Sequence, residues 1–323
     1  MTWKAVYTDT DDLDPTEGIE RLGAAGFEVT RLETHDEQVI ANAAHDAHAL
    51  LVGYAPVGQD LLMRMPSLEI ISMLSTGFDN VDVKTADSRG VCIATVGATP
   101  AEEVATHALA LLLSMMRGLN PYQKAAQRRE WFKTPYPHIP RRLSETTLGI
   151  LGFGRIGQSL ARIGAPLFKA VQFHDPLIPA GESIGNFASV SFETLVKSSD
   201  ALSIHMPLTE STFHQLDASV FSLMKMGSYL VNVSRGAVID SVALREAVDS
   251  GHIAAAAVDV LESEPPEEND ALMGSERIIV TPHVGYLSDY TLRAYIDVQA
   301  QNVIDWFSGR EMTNSINGLT MRR

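Results

Sequence analysis

Thr147 to Pro176 reads TLGILGFGRIGQSLARIGAPLFKAVQFHDP. The apolar run Leu148 to Leu151 enters three glycines, Gly152, Gly154 and Gly157, in the spacing G-x-G-x-x-G. An amphipathic segment follows, and a second apolar run ends on an acid, Asp175. This order predicts strand, tight turn, helix, strand and carboxylate in one unit, the arrangement that cradles a dinucleotide. Gly152 permits the turn, Gly154 lets the backbone approach a pyrophosphate with no side chain between, and Gly157 lets the helix pack close to the strand. Arg155 and Ile156 open the helix, whose N-terminal N–H groups and positive dipole end suit the anion. Asp175 is placed to accept hydrogen bonds from the adenosine ribose and to repel a 2′-phosphate. Residues 174–178 (HDPLI) offer no arginine to hold such a phosphate, so the expected cofactor is NAD rather than NADP. A lone G-x-G-x-x-G can also be a plain glycine turn; the strand before, the helix after and the acid beyond favour the cofactor.

The same alternation of apolar runs and helix-like segments extends on both sides. Residues 1–97 hold candidate strands at 5–8, 27–32, 49–52, 70–74 and 91–96, with helical segments at 18–25, 37–44, 60–65 and 83–89. Strand alternating with helix implies a parallel sheet covered on both faces. Residues 147–283 add six candidate strands, at 148–151, 170–174, 201–205, 229–233, 255–260 and 278–281, enough for a full nucleotide-binding sheet. Pro166 should shorten the first helix of this half. Between the halves, Thr99-Pro100-Ala101-Glu102 reads as an N-cap with proline at N1, opening a long helix with few breakers before Gly118 and Pro121. The stretch 131–144 (WFKTPYPHIPRRLS) is proline-rich and expected to be a surface connection. A last helix is expected from Ser288 to about Gly309.

Composition narrows the function classes. At 323 residues, two domains are expected. A net charge of −15 opposes nucleic acid and anionic membrane surfaces as partners. The single cysteine, Cys92, excludes an intramolecular disulfide and, lying in the apolar run VCIATV, is expected to be buried. The N-terminus lacks an apolar signal core, and the apolar stretch 105–116 is shorter than the ~20 residues a bilayer requires. A soluble, cytosolic protein follows as the expectation. His45 and His48 share a helix spacing but have no third ligand nearby, so no metal site is expected.

In doubly wound sheets, ligands bind beyond the carboxyl ends of the strands. The reactive side chains there are His205 (LSIHMPLT), Arg235 (LVNVSRGAVID), Asp259, Glu262 and Glu264 (AAVDVLESEPP), and His283 (IIVTPHVGY). An arginine, a carboxylate and a histidine make the set that reduces a 2-keto acid. Arginine offers a planar fork to the substrate carboxylate. Histidine exchanges a proton with the substrate oxygen near neutrality, and a carboxylate on its other nitrogen orients it and favours its protonated form.

These blocks, together with STGFDNVD, EEVATHALALLLSMMR and TLGILGFGRIG, give a chain that resembles the NAD-dependent D-2-hydroxyacid dehydrogenases from about Leu68 to Gly309. That group includes phosphoglycerate and lactate dehydrogenases, glyoxylate/hydroxypyruvate reductases and the C-terminal-binding proteins. EEVATHALALLL, PRRLSETTLGILGFGRIG and VLESEPP look most like the branch containing the last of these. The resemblance implies an α/β chain of two doubly wound parallel-sheet domains, with a Rossmann cofactor domain (98–289) inserted into a flavodoxin-like substrate domain (1–97 plus 290–323). It implies Arg235 as the substrate arginine, Glu264 as the acid paired with the histidine, His283 as the acid/base and Asp259 at the nicotinamide amide. By the same likeness Val104, His205, Val233 and Ser234 line the cofactor site, and the backbone of Ser75, Thr76 and Gly77 meets the substrate carboxylate in a cleft between the domains. Tyr286 and Tyr54 are the candidates for the substrate side-chain pocket, Glu262 matches no catalytic position, and a homodimer is expected. The chain departs from the branch at Thr106, Met73 and Tyr286, where relatives carry an acid, an arginine and a tryptophan, so no substrate preference carries over. The implied activity is hydride transfer between NAD(H) and a small 2-keto or D-2-hydroxy acid. The alternative is an NAD-sensing dimeric interaction protein in which catalysis is secondary.

Overall fold

The structure, a computed structural model, describes residues 2–10, 13–131 and 139–322. Half of the proline-rich stretch expected to be a surface connection, residues 132–138 of 131–144, lies outside the described residues. The chain divides into two units, Met1–Pro100 with Leu287–Arg323, and Ala101–Tyr286.

The first unit runs β1 (Trp3–Tyr7), α1 (Thr16–Ala24), β2 (Phe27–Arg31), α2 (Glu37–Ala43), β3 (Ala49–Val52), α3 (Gln59–Met63), β4 (Ile70–Met73), α4 (Val83–Arg89) and β5 (Cys92–Ala94). Its strands form one parallel sheet in the order β2-β1-β3-β4-β5, the flavodoxin-like winding. Side-chain alternation decides what each face buries. Val6, Leu50, Val52, Ile71 and Ile93 point into one core, and Ala5, Tyr7, Leu51, Ile70 and Cys92 into the other. Local chemistry sets the helix starts: Asp36 caps α2 by accepting from the N–H groups of Gln38 and Val39, and Asp82 caps α4 through Thr85. Cys92 is fully buried, and burial pushes its thiol up to about 11, which leaves it an inert core side chain.

The second unit runs α5 (Ala101–Met116), α6 (Leu119–Gln127), β6 (Thr147–Leu151), α7 (Arg155–Gly164), β7 (Ala170–His174), β8 (Ser183–Ile184), β9 (Phe187–Ser189), α8 (Phe192–Ser198), β10 (Ala201–Ile204), α9 (Ala218–Leu223), β11 (Ser228–Asn232), α10 (Ser241–Asp249), β12 (Ile253–Val258) and β13 (Ile278–Val280). The sheet order is β13-β12-β11-β10-β6-β7-β9-β8. Read from β9, the parallel strands follow the Rossmann winding with one more strand, β13, at the far edge. Strand order reverses between β6 and β10, the point where such sheets bind their ligand. One core lies under α8, α9 and α10, and the other under α5 and α7.

Three local expectations change. The sheet holds eight strands rather than six: β8 and β9 are two and three residues long, too short to read as apolar runs, and join through a tight turn with Gly185 at φ 59°. The expected long helix from Thr99 is two helices, broken where Gly118 takes φ 64°. Thr99 does not cap α5, since its hydroxyl donates back to the Val96 carbonyl at 2.6 Å. Helix α7 does end at Gly164, two residues before Pro166.

The last helix, α11 (Thr291–Phe307), belongs to the first unit. Gln299 and Asn302 are buried on it, and their amides donate to the carbonyls of Val52 (3.3 Å), Ser72 (3.0 Å) and Thr95 (3.0 Å). Polar groups buried without partners would each cost about 1–3 kcal/mol, so this network fixes how the helix returns to the sheet. Among the described residues, no helix is long and apolar enough to cross a membrane.

Candidate active site

The glycine turn after β6 sits at the reversal of strand order. Gly152 has φ 90°, and a Cβ there would lie 2.7 Å from the His205 carbonyl carbon and 2.9 Å from Met206 N, at the exit of β10. Only glycine fits both the conformation and the space. At Gly157 a Cβ would press into the Gly152 carbonyl, whereas at Gly154 it would meet nothing within 4 Å. Gly157 therefore serves helix packing, and Gly154 leaves open space in front of the backbone. Helix α7 has no side-chain cap at Gly154, so its first N–H groups remain for an anion. Arg155 is exposed beside them, and Ile156 packs against the core. Asp175 ends β7 with its carboxylate fixed, accepting from Phe153 N–H at 2.8 Å and Leu177 N–H at 3.0 Å. The turn thus ties the acid to the glycine loop, and these residues fit a dinucleotide.

Around this turn, Val104 on α5 and Val233 after β11 are buried in the core beneath it. Ser234 is half-buried and bonds Asn232 Oδ1 through both N–H and hydroxyl. His205 Nε2 lies 2.8 Å from Ser203 Oγ, while its covered Nδ1 has no hydrogen-bond partner among the described residues. Burial lowers its pKa from the ordinary 6.5 to about 3. The ring stays neutral and takes no part in proton transfer near neutrality.

The exits of β12 and β13 bring Glu264 and His283 together. His283 Nδ1 lies 2.6 Å from Glu264 Oε2, and Glu264 Oε1 accepts from Leu261 N–H at 2.8 Å. Burial pushes the Glu264 carboxyl up, but the hydrogen bond and charge of His283 and the Leu261 N–H outweigh it, and the net shift is downward. Glu264 is therefore an ionised acceptor, so Nδ1 carries the hydrogen and Nε2 is the ring nitrogen outside this contact. His283 sits at φ 53°, a left-handed conformation uncommon outside glycine. Arg235 follows β11 with its carbonyl accepting from Asn232 Nδ2 at 2.8 Å. Gly236, next to it, has no room for a side chain, because a Cβ would enter the backbone of Leu261 and Glu262. That close approach brings the arginine loop against the same β12 exit that holds Glu264.

Asp259, also on this exit, is 2% exposed. Its Oδ1 accepts from the Thr281 hydroxyl at 2.5 Å and Val284 N–H at 3.0 Å, and its Oδ2 from Gly285 N–H at 2.7 Å. Burial raises this carboxyl too, yet the donors from His107, Thr281, Gly285 and Val284 bring it below its ordinary value. Glu262 is exposed and pairs with His214 at 3.2 Å and Ser241 at 3.0 Å. Tyr286 is half-buried against the core of the second unit.

In the first unit, Ser75, Thr76 and Gly77 leave the end of β4. Ser75 Oγ donates to the Gly77 carbonyl at 2.6 Å and Thr76 Oγ1 to the Gly97 carbonyl at 3.1 Å. Their three N–H groups have no acceptor among the described residues. Tyr54, after β3, is 53% exposed, and its N–H donates to Asp9 Oδ2 at 2.5 Å.

Residue patterns did not single out Gly236, His107 or Thr281. Gly236 could have been noticed as a glycine in a strand-exit loop beside the arginine, but the backbone it meets is visible only in the fold. His107 looked like a helix residue in an apolar run, with nothing local to mark its partners. Among the described residues no group of three potential metal ligands occurs.

The family model described as "D-isomer specific 2-hydroxyacid dehydrogenase, NAD binding domain" matches residues 109–285. A glyoxylate reductase of Thermococcus litoralis is 34% identical over 267 residues, covering 81% of this chain and 80% of that protein. A glycerate dehydrogenase of Methylorubrum extorquens is 29% identical over 96% of this chain and 98% of its own. A D-3-phosphoglycerate dehydrogenase of Bacillus subtilis is 34% identical over 86% of this chain, which spans only 53% of that protein. Among solved structures, a D-lactate dehydrogenase of Aquifex aeolicus with NAD and lactic acid superposes with a TM-score of 0.87 at 26% identity, covering 97% of this chain and 99% of that one. A glyoxylate/hydroxypyruvate reductase of Sinorhizobium meliloti with NADP and malonate gives 0.87 at 30% identity, covering 100% and 99%. On this evidence the chain is an NAD-dependent enzyme belonging to the D-isomer specific 2-hydroxyacid dehydrogenase family.

Proposed function

We propose that the enzyme reduces a small 2-keto acid to its D-2-hydroxy acid, and runs in reverse with NAD, with His283 as acid/base, Glu264 as its partner and Arg235 as the substrate clamp. The observation that carries this reading is the 2.6 Å contact between His283 Nδ1 and an ionised Glu264, which leaves Nε2 to handle the proton. When bound, NADH supplies the hydride to the keto carbon. His283 Nε2 gives its proton to the keto oxygen, and the Glu264 carboxylate stabilises the imidazolium before that transfer. Arg235 holds the substrate carboxylate with its fork, and the N–H groups of Ser75, Thr76 and Gly77 add to that hold. Gly152, Gly154, Arg155, Ile156 and Gly157 hold the pyrophosphate, and Asp175 the adenosine ribose. Val104, His205, Val233 and Ser234 line the cofactor, with Asp259 at its nicotinamide end. Tyr54 and Tyr286 border the substrate side chain. The domain roles follow, 1–97 with 290–323 for substrate and 98–289 for cofactor, and so does a cytosolic homodimer, the dimer being testable by light scattering.

The test is His283→Ala, assayed against a panel of 2-keto acids with NADH and NADPH in parallel. Loss of a positioned acid/base lowers turnover by about 10²–10⁴-fold, and NADH binding measured by fluorescence should persist. Turnover equal to the unaltered enzyme would remove His283 from the mechanism.

A further inference from the structure

Neither the sequence pattern nor the family match assigns His107, yet it lies against the loop that carries His283. It projects from the middle of α5, and its Nε2 is 3.1 Å from Thr281 Oγ1 and 3.3 Å from Asp259 Oδ1. The Thr281 hydroxyl has one proton, donated to Asp259 at 2.5 Å. Oγ1 is therefore an acceptor toward His107, and Nε2 must carry the hydrogen. His107, Thr281 and Asp259 form a closed donor chain whose last member holds the backbone at His283 and just after it. The Asp259 carboxylate takes Val284 N–H and Gly285 N–H, while its carbonyl takes His283 N–H at 2.8 Å. Gly285 completes the fit: a Cβ there would lie 2.8 Å from Asp259 Oδ2 and 3.4 Å from His107 Cδ2.

This matters because His283 is held at φ 53°. A non-glycine residue stays in that conformation only when its surroundings over-determine it. The Glu264 contact fixes the ring, while Asp259 holds the backbone, its carboxylate taking Val284 and Gly285 N–H and its carbonyl His283 N–H. Remove the donor at position 107 and the Thr281 hydroxyl is free to turn, loosening one edge of the Asp259 clamp.

We propose that His107 is a positioning residue: by donating to Thr281 and Asp259 from α5, it locks the 281–285 loop in the conformation that presents His283 to Glu264 and to the substrate. The proposal rests on His283 being the acid/base.

Three variants test it on the full chain: His107→Leu, which removes the donor; His107→Gln, which restores an N–H donor; and Thr281→Val, which breaks the same link one step along. Misplacing a catalytic group by a fraction of an ångström to an ångström costs up to about 10²-fold, so kcat of His107→Leu should fall about 10–100-fold with the keto-acid KM within about twofold. Loosening the Glu264 contact destabilises the imidazolium, so the pH above which reduction slows should move down. His107→Gln should recover most of both, and Thr281→Val should reproduce the loss, also where His107→Leu does not fold. If His283→Ala is inactive while His107→Leu and Thr281→Val keep the unaltered kcat and pH profile, His107 has no positioning role. If both folded variants lose activity but Gln does not restore it and the pH profile stands still, the effect is packing and the proposal is wrong. An active His283→Ala would instead overturn the acid/base reading, and this inference with it.

Discussion

Two carboxylates, one in each unit, do the same structural job for different loops. Asp9 lies just past β1 and Asp259 just past β12, and each is 2% exposed. Asp9 gathers the N–H groups of Gly53, Tyr54 and Ala55 in the loop after β3 and accepts from the Thr8 hydroxyl. Asp259 gathers those of Val284 and Gly285 in the loop after β13 and accepts from the Thr281 hydroxyl. Each has a histidine on its flank at 3.3 Å, His35 and His107 respectively. At the end of a parallel sheet the ladder runs out and backbone donors are left over; a buried carboxylate satisfies several at once. The two loops differ in what they carry. The Asp9 loop presents Tyr54, exposed and in no strained conformation, whereas the Asp259 loop presents His283 at φ 53° beside Glu264. One carboxylate shapes a surface, and the other holds a strained backbone against a reactive ring.

The comparison breaks most readily at the carboxylates themselves. Asp259→Asn replaces one carboxylate oxygen by an N–H₂ that faces a backbone N–H donor, Val284 or Gly285, and turnover should fall by about 10²-fold or more, as for a misplaced acid/base. In Asp9→Asn the same chemistry should leave kcat within about threefold and act on KM and folding, with about 1–3 kcal/mol lost for the unsatisfied donors. Steady-state kinetics beside urea unfolding of both variants measures the contrast. Equal losses of kcat would mean the two carboxylates do not differ in what they serve.

Smaller effects come with pH. Asp259 and Glu264 have carboxyls depressed below their ordinary values of 3.8 and 4.5, so their stabilisation is complete above those values and is lost as pH falls through the lower, folded ones. His205 behaves differently. Its pKa in the fold is about 3 against 6.5 when exposed, so the unfolded chain binds the proton first and stability declines as pH falls from 6.5 toward 3. Between pH 6.5 and 4.5, then, acid should weaken the fold through His205 and not through the two carboxylates. Denaturant unfolding across that window should show a slope in the unaltered chain that flattens in His205→Gln. An unchanged slope would show that His205 is not kept neutral by the fold.

How much of this was legible follows from how far apart the partners are in sequence. The glycine turn was readable because strand, turn, helix and Asp175 are neighbours along the chain, and the reason for Gly157 is a close approach within that unit. Arg235, Glu264 and His283 were visible as candidates because reactive side chains at strand ends stand out and their blocks recur in a known family. The two-strand addition at 183–189 was not visible, because strands of two and three residues carry no apolar run. The break at Gly118 and the failed cap at Thr99 turned on backbone conformation, which composition only suggests.

The sequence by itself determined the alternating α/β plan and the dinucleotide turn with its acid at Asp175, since each depends on a periodicity or a spacing within one βαβ unit, and it offered Arg235, Glu264 and His283 as candidates from their places at strand ends. Tertiary structure alone decided that β10 runs beside β6, so that Gly152 needs its glycine against His205. It also decided that Gly236 lies on the β12 exit and that His107 reaches across to Thr281 and Asp259, 174 residues further on for the first of these contacts. A hydrogen bond between residues that distant leaves no periodic trace in the chain; it exists only once the sheet has brought its strand ends to one edge.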